Sequence, residues 1–585
     1  MLVEFLCFAG GLFLILIPGI WLAGALSLGR DRIERWTYGS CLGLALATYL
    51  ASAISYFNLR WFYAIWTAAA LACLAARWFS PAKYRQGLKS KWIVVILVLV
   101  AAVRFGNALP QPLPEGPFDP TFHLILAGKI QQTQHAIHDW RPFDSVALNY
   151  PTGSHTLLVV VSAITALPLH AVFKDLIPLL GVLSTAQIYL FARRAAGDES
   201  VALWSAGAYG LWAWFGSNDY FRWGGLPNEM GMLFFIAMLT LWLDDIRASI
   251  RVPTMGVIFA ALILVHHHCM LVSGILLAVF AVVPMSQFNA ASSRGILIRA
   301  MAIAALLDAF FLIPYALKIT TLNSTIVLSN SEPRMGILQI ASGIGLVNGP
   351  LAIIGMVLWA KGRGPRFHPV VFWAAGMLAG MFLVTECFIP LLMKALKGPS
   401  AIAFTPSRFL TDLNYFLPLL AAISVALIQA RLRIKTPWVL ALMCCAALAD
   451  FRQWKDLIQP HDSFAPPGFV AASRWIHDHT SPSTVVLNRD NWTTYLTWRR
   501  TTFAPLPDSE PTPDHAGLMR HLAAIMSGEV PPDSPGMTIV QILPADTRSS
   551  QAVLWSDSAY KIVQVWPGRK PEIRNQNDES NPKPE

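Results

Sequence analysis

The sequence predicts an α-helical polytopic membrane protein with a small extracytoplasmic α/β domain at its C-terminal end. Three observations predict it. Of the 585 residues 55% are hydrophobic and only 13% charged, against roughly 25% charged for an ordinary soluble domain. Apolar runs long enough for a helix to cross the ~30 Å hydrocarbon layer recur from Phe5 to Leu448. After Ala449 those runs stop, and a polar, cysteine-free segment carries shorter helix-like and strand-like patterns.

The runs fall into three groups. Residues 5–28, 38–57, 61–78 and 92–105 come first and are followed by a polar, Pro-rich interval; the first run follows Glu4 and exceeds a signal-peptide core, so it is expected to stay in the mature chain. Residues 176–191, 201–215, 230–243, 255–265, 269–284 and 300–317 form the second group. The third is 344–360, 370–384, 409–428 and 438–448, for about fourteen crossings by length. The membrane part is therefore 1–449 with a large loop at 107–175, the α/β domain 450–566, and 567–585 a disordered tail.

The net charge of +10 does not imply a nucleic-acid partner, because the basic residues are dispersed in short connections. Seven such clusters alternate along the chain: Arg30/Arg32/Arg35, Lys83/Arg85/Lys89/Lys91, Arg193/Arg194, Arg247/Arg251, Arg294/Arg299, Lys361/Arg363/Arg366 and Arg431/Arg433/Lys435. Cytoplasmic loops carry the excess of Lys and Arg. All seven fall on one side only if the apolar stretch 154–173 does not cross. The extracytoplasmic side then receives 107–175, 216–229, the "HHH" turn, 318–343, 385–408 and everything after 449. The seven cysteines lie in or beside apolar runs without CxxC pairs, so no disulfide framework or zinc site is implied.

Chemistry is expected on that outer side. Asp119, between Pro117 and Pro120 and just before a helix-like run starting near Thr121, can deprotonate a hydroxyl, bind a metal, or simply cap the helix. "GSNDYFRWGGLPNEM" offers Asp219, Arg222 and Glu229, although its Gly-Gly pair reads equally as a turn. In "LVHHHCM" successive side chains differ by ~100° around a helix, so His266, His267 and His268 cannot share one metal. One of them can face a site, or the three can form an interfacial turn. Arg408 in "TPSRFLTDLNYFLPL" suits a phosphate by its planar fork of donors, or snorkels to the headgroups. Glu386 is an additional acidic candidate, and Trp475 and Trp492 are expected in the core of the α/β domain.

"FDPTFH" ahead of "YPTGSH", with an apolar in-plane segment and then a span ending "ARR", resembles the first loop of GT-C glycosyltransferases. That superfamily includes oligosaccharyltransferases, protein O-mannosyltransferases and lipid A aminoarabinose transferases. The resemblance implies a GT-C-like fold, a polyprenyl-phosphate sugar donor and a catalytic acid at the start of the loop, which is Asp119, with His123 one helical turn on. It also implies a second acidic residue near the donor phosphate, matched loosely by Glu229, and a basic residue at the start of a late span, matched by Arg408. "ASRWIHDHTSPSTVVLNRDNWTTYLTWRRTTFAP" resembles the segment beyond the last span of many bacterial GT-C proteins, whereas the spans before Trp92 depart from the simplest pattern.

The expected function is inverting transfer of a sugar from a polyprenyl phosphate or pyrophosphate to an extracytoplasmic acceptor, in the inner (plasma) membrane. Asp119 is the general base or, with Glu229, a ligand of Mg²⁺ or Mn²⁺; Arg408 contacts the donor phosphate, and His123, Arg222 and His267 line the substrate. The alternatives are a polytopic transporter or lipid flippase, or a surface-glycan polymerase or ligase. A transporter predicts ionisable residues deep in several spans, and Asp308 is the one placed so.

Overall fold

The computed structural model describes residues 2–79, 91–108, 113–114, 119–141, 143, 148, 150–212, 224–282, 290–321, 340, 344–345, 347–362, 367–388, 406–457, 466–487, 491–501, 538–549 and 551–566. They form two compact units. The first comprises Met1–Glu115, Leu126–Ile137 and Asn149–Gln459, the second Gly116–Ile125, His138–Leu148 and Pro460–Glu585.

The first unit is helical. It opens with α1 (Leu2–Ala25) and α2 (Arg32–Ser55), which meet backbone to backbone: a Cβ on Gly19 would fall 2.1 Å from the Gly43 nitrogen and 2.4 Å from the Gly39 oxygen. Lipid provides no hydrophobic drive between helices, so such small-residue contacts hold them by close packing. Next come α3 (Arg60–Phe79), α4 (Trp92–Ala108), α5 (Asp119–Thr133, its first half counted with the second unit), α6 (Gly153–Thr165) and α7 (Leu169–Ala196). α8 (Glu199–Gly207) runs into a π-helical turn, Ala208–Trp212. Then follow α9 (Leu226–Leu243), α10 (Ala248–Val265), α11 (His267–Val282), α12 (Ala290–Leu307) and α13 (Ala309–Thr321). The series closes with α14 (Asn348–Ala360), α15 (Val370–Leu383) with its π turn Val384–Phe388, α16 (Pro406–Leu413), α17 (Leu417–Leu432) and α18 (Thr436–Leu457).

Among the described residues six helices are long and apolar enough to cross a membrane, or seven if the pair bent by 75° at Asp308 is one span. The expected count of about fourteen rested on apolar length alone. Seven shorter apolar stretches of 10–17 residues stand beside them, most at the remaining expected positions, and two of these are parts of α3 and α18, which run for 20 and 22 residues. The stretch 154–173 is one continuous apolar run in sequence but two helices in space. Ala166 adopts the left-handed conformation (φ 56°), Ser162 Oγ donates to Leu167 O at 2.6 Å, and Pro168 opens α7. At 1.5 Å per residue, the 13-residue α6 reaches ~20 Å, short of the ~30 Å layer. The following span accordingly begins at Leu169 rather than 176, and the last helix extends to Leu457 rather than 448.

Three of the basic connections, those of Arg30, Arg193/Arg194 and Arg251, meet around one set of carboxylates in this unit. Arg193 Nη1 lies 2.8 Å from both Asp31 and Glu34, and Arg193 Nε 3.2 Å from Glu199. Arg194 reaches Glu34 at 2.7 Å and Asp244 at 3.0 Å; Tyr38 donates to Asp244 at 2.7 Å, and Arg251 to the Asp244 carbonyl. His368 N–H donates to Ala195 O, and Trp92, Ser200, Arg433 and Lys435 line one surface cavity. Arg193 and Arg194 are thus buried in an ion network rather than being loose loop charges.

The second unit holds a five-stranded mixed sheet of order β2-β1-β3-β5-β4, from β1 (Val485–Val486), β2 (Arg500–Thr501), β3 (Ile539–Pro544), β4 (Ala552–Ser556) and β5 (Tyr560–Trp566). β1 pairs in parallel with β2 and β3, while β5 runs antiparallel to both β3 and β4. α19 (Pro467–His479) turns Phe469, Ala472 and Ile476 inward against the sheet, the spacing of an amphipathic helix. Arg499 clamps its C-terminal end by donating to His477 O at 2.8 Å and Thr480 O at 2.6 Å, the end at which a cation complements the helix dipole. Trp492, on α20 (Asn491–Thr497), is a core residue as expected, but Trp475 is half-buried and stacks on His479 at 4.8 Å. The tail expected to be disordered, 567–585, lies outside the described residues.

Candidate functional site

Glu229 is the centre of the best-defined polar site in the first unit. Gly225 and Pro227 start α9, which places Glu229 in its first turn, fully buried. A buried carboxylate must be hydrogen-bonded, and three hydroxyls converge on this one. Ser184 Oγ donates to Oε1 at 2.8 Å, Tyr209 to Oε1 at 3.5 Å and Tyr415 to Oε2 at 3.1 Å. The two tyrosine rings lie 5.1 Å apart. Tyr209 sits in the π-helical turn after α8, the kind of helix defect often found at functional sites. Arg104, near the end of α4, is buried within electrostatic range of Glu229, Tyr209 and Tyr415.

Each Glu229 oxygen accepts from at least one hydroxyl, and the positive charge nearby is a guanidinium. Among the described residues no group of three or more His, Cys, Asp or Glu gathers in ligating geometry.

The histidines adjoin this carboxylate. α10 ends at Val265, His266 is extended, and α11 begins at His267. The rings of His266 and His267 stack at 4.6 Å, and Tyr150 stands edge-on to His155, His266 and His267 at 5.3–5.6 Å. Gly153 permits the approach: a Cβ there would lie 2.6 Å from the Leu264 carbonyl oxygen. Burial pushes the His155 imidazole down to about 3, so it is neutral at physiological pH. His268 points elsewhere, as the ~100° step requires, and its Nε2 lies 2.8 Å from Asp412 Oδ2 with both side chains fully buried. Cys269 Sγ meets the Asn228 carbonyl, which ties α11 to the turn that carries Glu229.

Arg408 is one turn before Asp412 on α16, at the start of a candidate span, Arg408–Leu432. Its charge acts on His267 and Cys269, and Cys269 also feels Glu229 and Asp412. The first unit thus gathers Glu229, His267 and Arg408 of the expected residues. Asp119 and His123 belong to the second unit. There Asp119 is the first residue of α5, two residues earlier than the expected start near Thr121, and His123 is buried beside Phe122, which packs on Trp140. Glu386 is buried in the π turn after α15. Arg222 and Asp219 lie outside the described residues.

Sequence reasoning missed Arg104, Ser184, Tyr209, Tyr415 and Asp412. Arg104 alone carried a signal, a single cation inside the apolar run 92–105, where ionisable groups are expensive and mark function.

No family model matches the sequence, and no curated protein matches it. Solved structures do. ArnT from Cupriavidus metallidurans bound to undecaprenyl phosphate aligns over 82% of this chain and 99% of its own, with a TM-score of 0.54 at 15% identity. The apo state of that protein aligns over 81% and 98%, with a TM-score of 0.54 at 13% identity. The chain has a GT-C-like fold. An oligosaccharyltransferase from Archaeoglobus fulgidus, tethered with an acceptor peptide, aligns over 78% of this chain and 69% of its own, at 12% identity and a TM-score of 0.47. Within this GT-C-like fold, the Glu229 cluster draws on α7, the π turn after α8, α9 and the segment between α16 and α17.

Proposed function

We propose that this protein is a membrane glycosyltransferase, which moves a sugar from a polyprenyl-phosphate or polyprenyl-pyrophosphate donor to an extracytoplasmic acceptor with inversion. The observation that carries the reading is the GT-C-like fold, aligned over nearly the whole of ArnT, a protein solved in complex with undecaprenyl phosphate. In the reaction the acceptor oxygen bonds to the anomeric carbon as the bond from that carbon to the phosphate oxygen breaks. The acceptor proton goes to a carboxylate, and the bonding pair leaves with the phosphate. Asp119 is the proposed base. Arg408 is the proposed contact for the departing phosphate, whose growing charge a planar guanidinium stabilises. Glu229 supports the site as an anion fixed by hydroxyls, and His123, Arg222 and His267 line the substrate. The membrane is the inner (plasma) membrane, with the Asp119 loop and the α/β domain outside.

The test is incubation of the purified protein with a panel of polyprenyl-linked sugar donors and detection of sugar transferred or released. Turnover of one donor supports the reading, and no turnover of any donor by folded protein overturns it. Lipid or solute movement in vesicles would instead favour a second reading, a flippase or transporter. One observation favours that: Asp308 is fully buried at the 75° break between α12 and α13, and broken helices with buried carboxylates are a transporter device.

A further inference from the structure

We propose that Arg104 is the binding group for a phosphate-class anion beside Glu229. Arg104 is 3% exposed, and its Nε, Nη1 and Nη2 are all buried with no hydrogen-bond partner among the described residues. A guanidinium carries five donors in a rigid fork and does not lose its charge in proteins, so leaving all of them unmet in a low-dielectric interior is costly. The acceptors for it exist in this unit. Glu229 is close enough to act on Arg104 electrostatically, yet its two oxygens are taken by Ser184, Tyr209 and Tyr415. Three hydroxyls therefore do what a direct ion pair would do for the carboxylate, and the whole fork of Arg104 is kept for a group outside the chain. Glu229 offsets the charge without occupying the donors. A fork of parallel N–H groups matches two oxygens of a phosphate, the geometry that makes arginine the residue for such anions.

The source of the phosphate is a lipid headgroup or a free phosphate. The inference deepens the donor reading only for the lipid case; the binding chemistry stands without sugar transfer. The experiment uses the full chain in lipid nanodiscs with two probes, a polyprenyl monophosphate and inorganic phosphate, and reads both affinity and thermal stability for wild type, Arg104→Met and Arg104→Lys. A hydrogen bond to a charged group is worth enough that Arg104→Met is expected to lose about tenfold to a hundredfold in affinity for the probe that binds. Arg104→Lys, which keeps the charge but not the fork, is expected to lose about tenfold. Without probe, Arg104→Met is expected to melt at the wild-type temperature or above it, because a buried charge without a direct partner has been replaced by an apolar side chain. Binding of the lipid alone identifies a headgroup, and a response to inorganic phosphate identifies a free ion. Unchanged affinity in either variant overturns the proposal, as does failure of both probes to bind wild type. A lower melting temperature in Arg104→Met with unchanged affinity makes Arg104 a structural partner of Glu229. Binding that depends on Arg104 in a protein that transfers no sugar leaves the anion site standing and removes only the donor reading.

Discussion

At one end of the first unit Arg193 and Arg194 are buried against Asp31, Glu34, Glu199 and Asp244. Near Glu229, Arg104 is buried just as deeply and, among the described residues, engages no carboxylate oxygen directly. In the first cluster charge is matched by charge through several direct contacts at 2.7–3.2 Å, and Tyr38 adds a further donor to Asp244. In the second the carboxylate is satisfied by neutral hydroxyls and the guanidinium is left to act at a distance. The difference teaches that burial of an arginine by itself says nothing about its role. A network closed by direct ion pairs fixes helix ends in place, whereas an open one keeps binding capacity.

The largest effect should come from breaking the closed cluster. Glu34 accepts from Arg193, Arg194 and the Arg30 N–H, so Glu34→Gln removes the one carboxylate that both buried guanidinium groups share and should cost about 3–5 kcal/mol. Chemical denaturation measures it; stability within ~1 kcal/mol of wild type would mean that the network holds nothing together, and the contrast with Arg104 would fail. Per folded molecule, activity should be unchanged. Asp119→Asn tests the opposite kind of residue. As the proposed base it should lose about a hundredfold or more in transfer rate, while a residue acting only in the helix N-terminus costs ~1 kcal/mol of stability and keeps its activity. Steady-state turnover beside a melting curve separates the two.

Tyr415→Phe sharpens the comparison from the open side. It removes one of the hydroxyls that hold Glu229, and a hydrogen bond to a charged group is worth about 1.5–3 kcal/mol. Unfolding should show that loss in full, unless Arg104 swings onto the freed oxygen, in which case stability is retained and anion affinity falls. Arg408→Lys has the smallest expected effect. Donor affinity should fall about tenfold with turnover little changed, because Lys keeps the charge but lacks the bidentate fork; donor titration measures it, and wild-type affinity would leave Arg408 as a snorkelling residue.

The sequence by itself determined the solvent of this protein and much of its wiring. Low charge content and recurrent apolar runs permit only a membrane helical fold, because unpaired backbone groups cannot be left in lipid. Short motifs pointed to a GT-C-like fold and picked out Glu229, His267 and Arg408, which the first unit gathers. Turn chemistry was legible only in part: Pro168 in "VSAITALPLH" marks a break in the run, but nothing in the sequence announces the left-handed turn at Ala166. Only the tertiary structure decided who meets whom. Glu229 takes its hydroxyls from positions 45, 20 and 186 residues away, Arg193 finds its acids 159 and 162 residues away, and His268 finds Asp412 across 144. Periodicity fixes which face of a helix is apolar, but not which distant side chain that face will touch. In an apolar medium one such partner decides whether a buried charge is closed off or held ready, and that is a property of packing rather than of any local pattern.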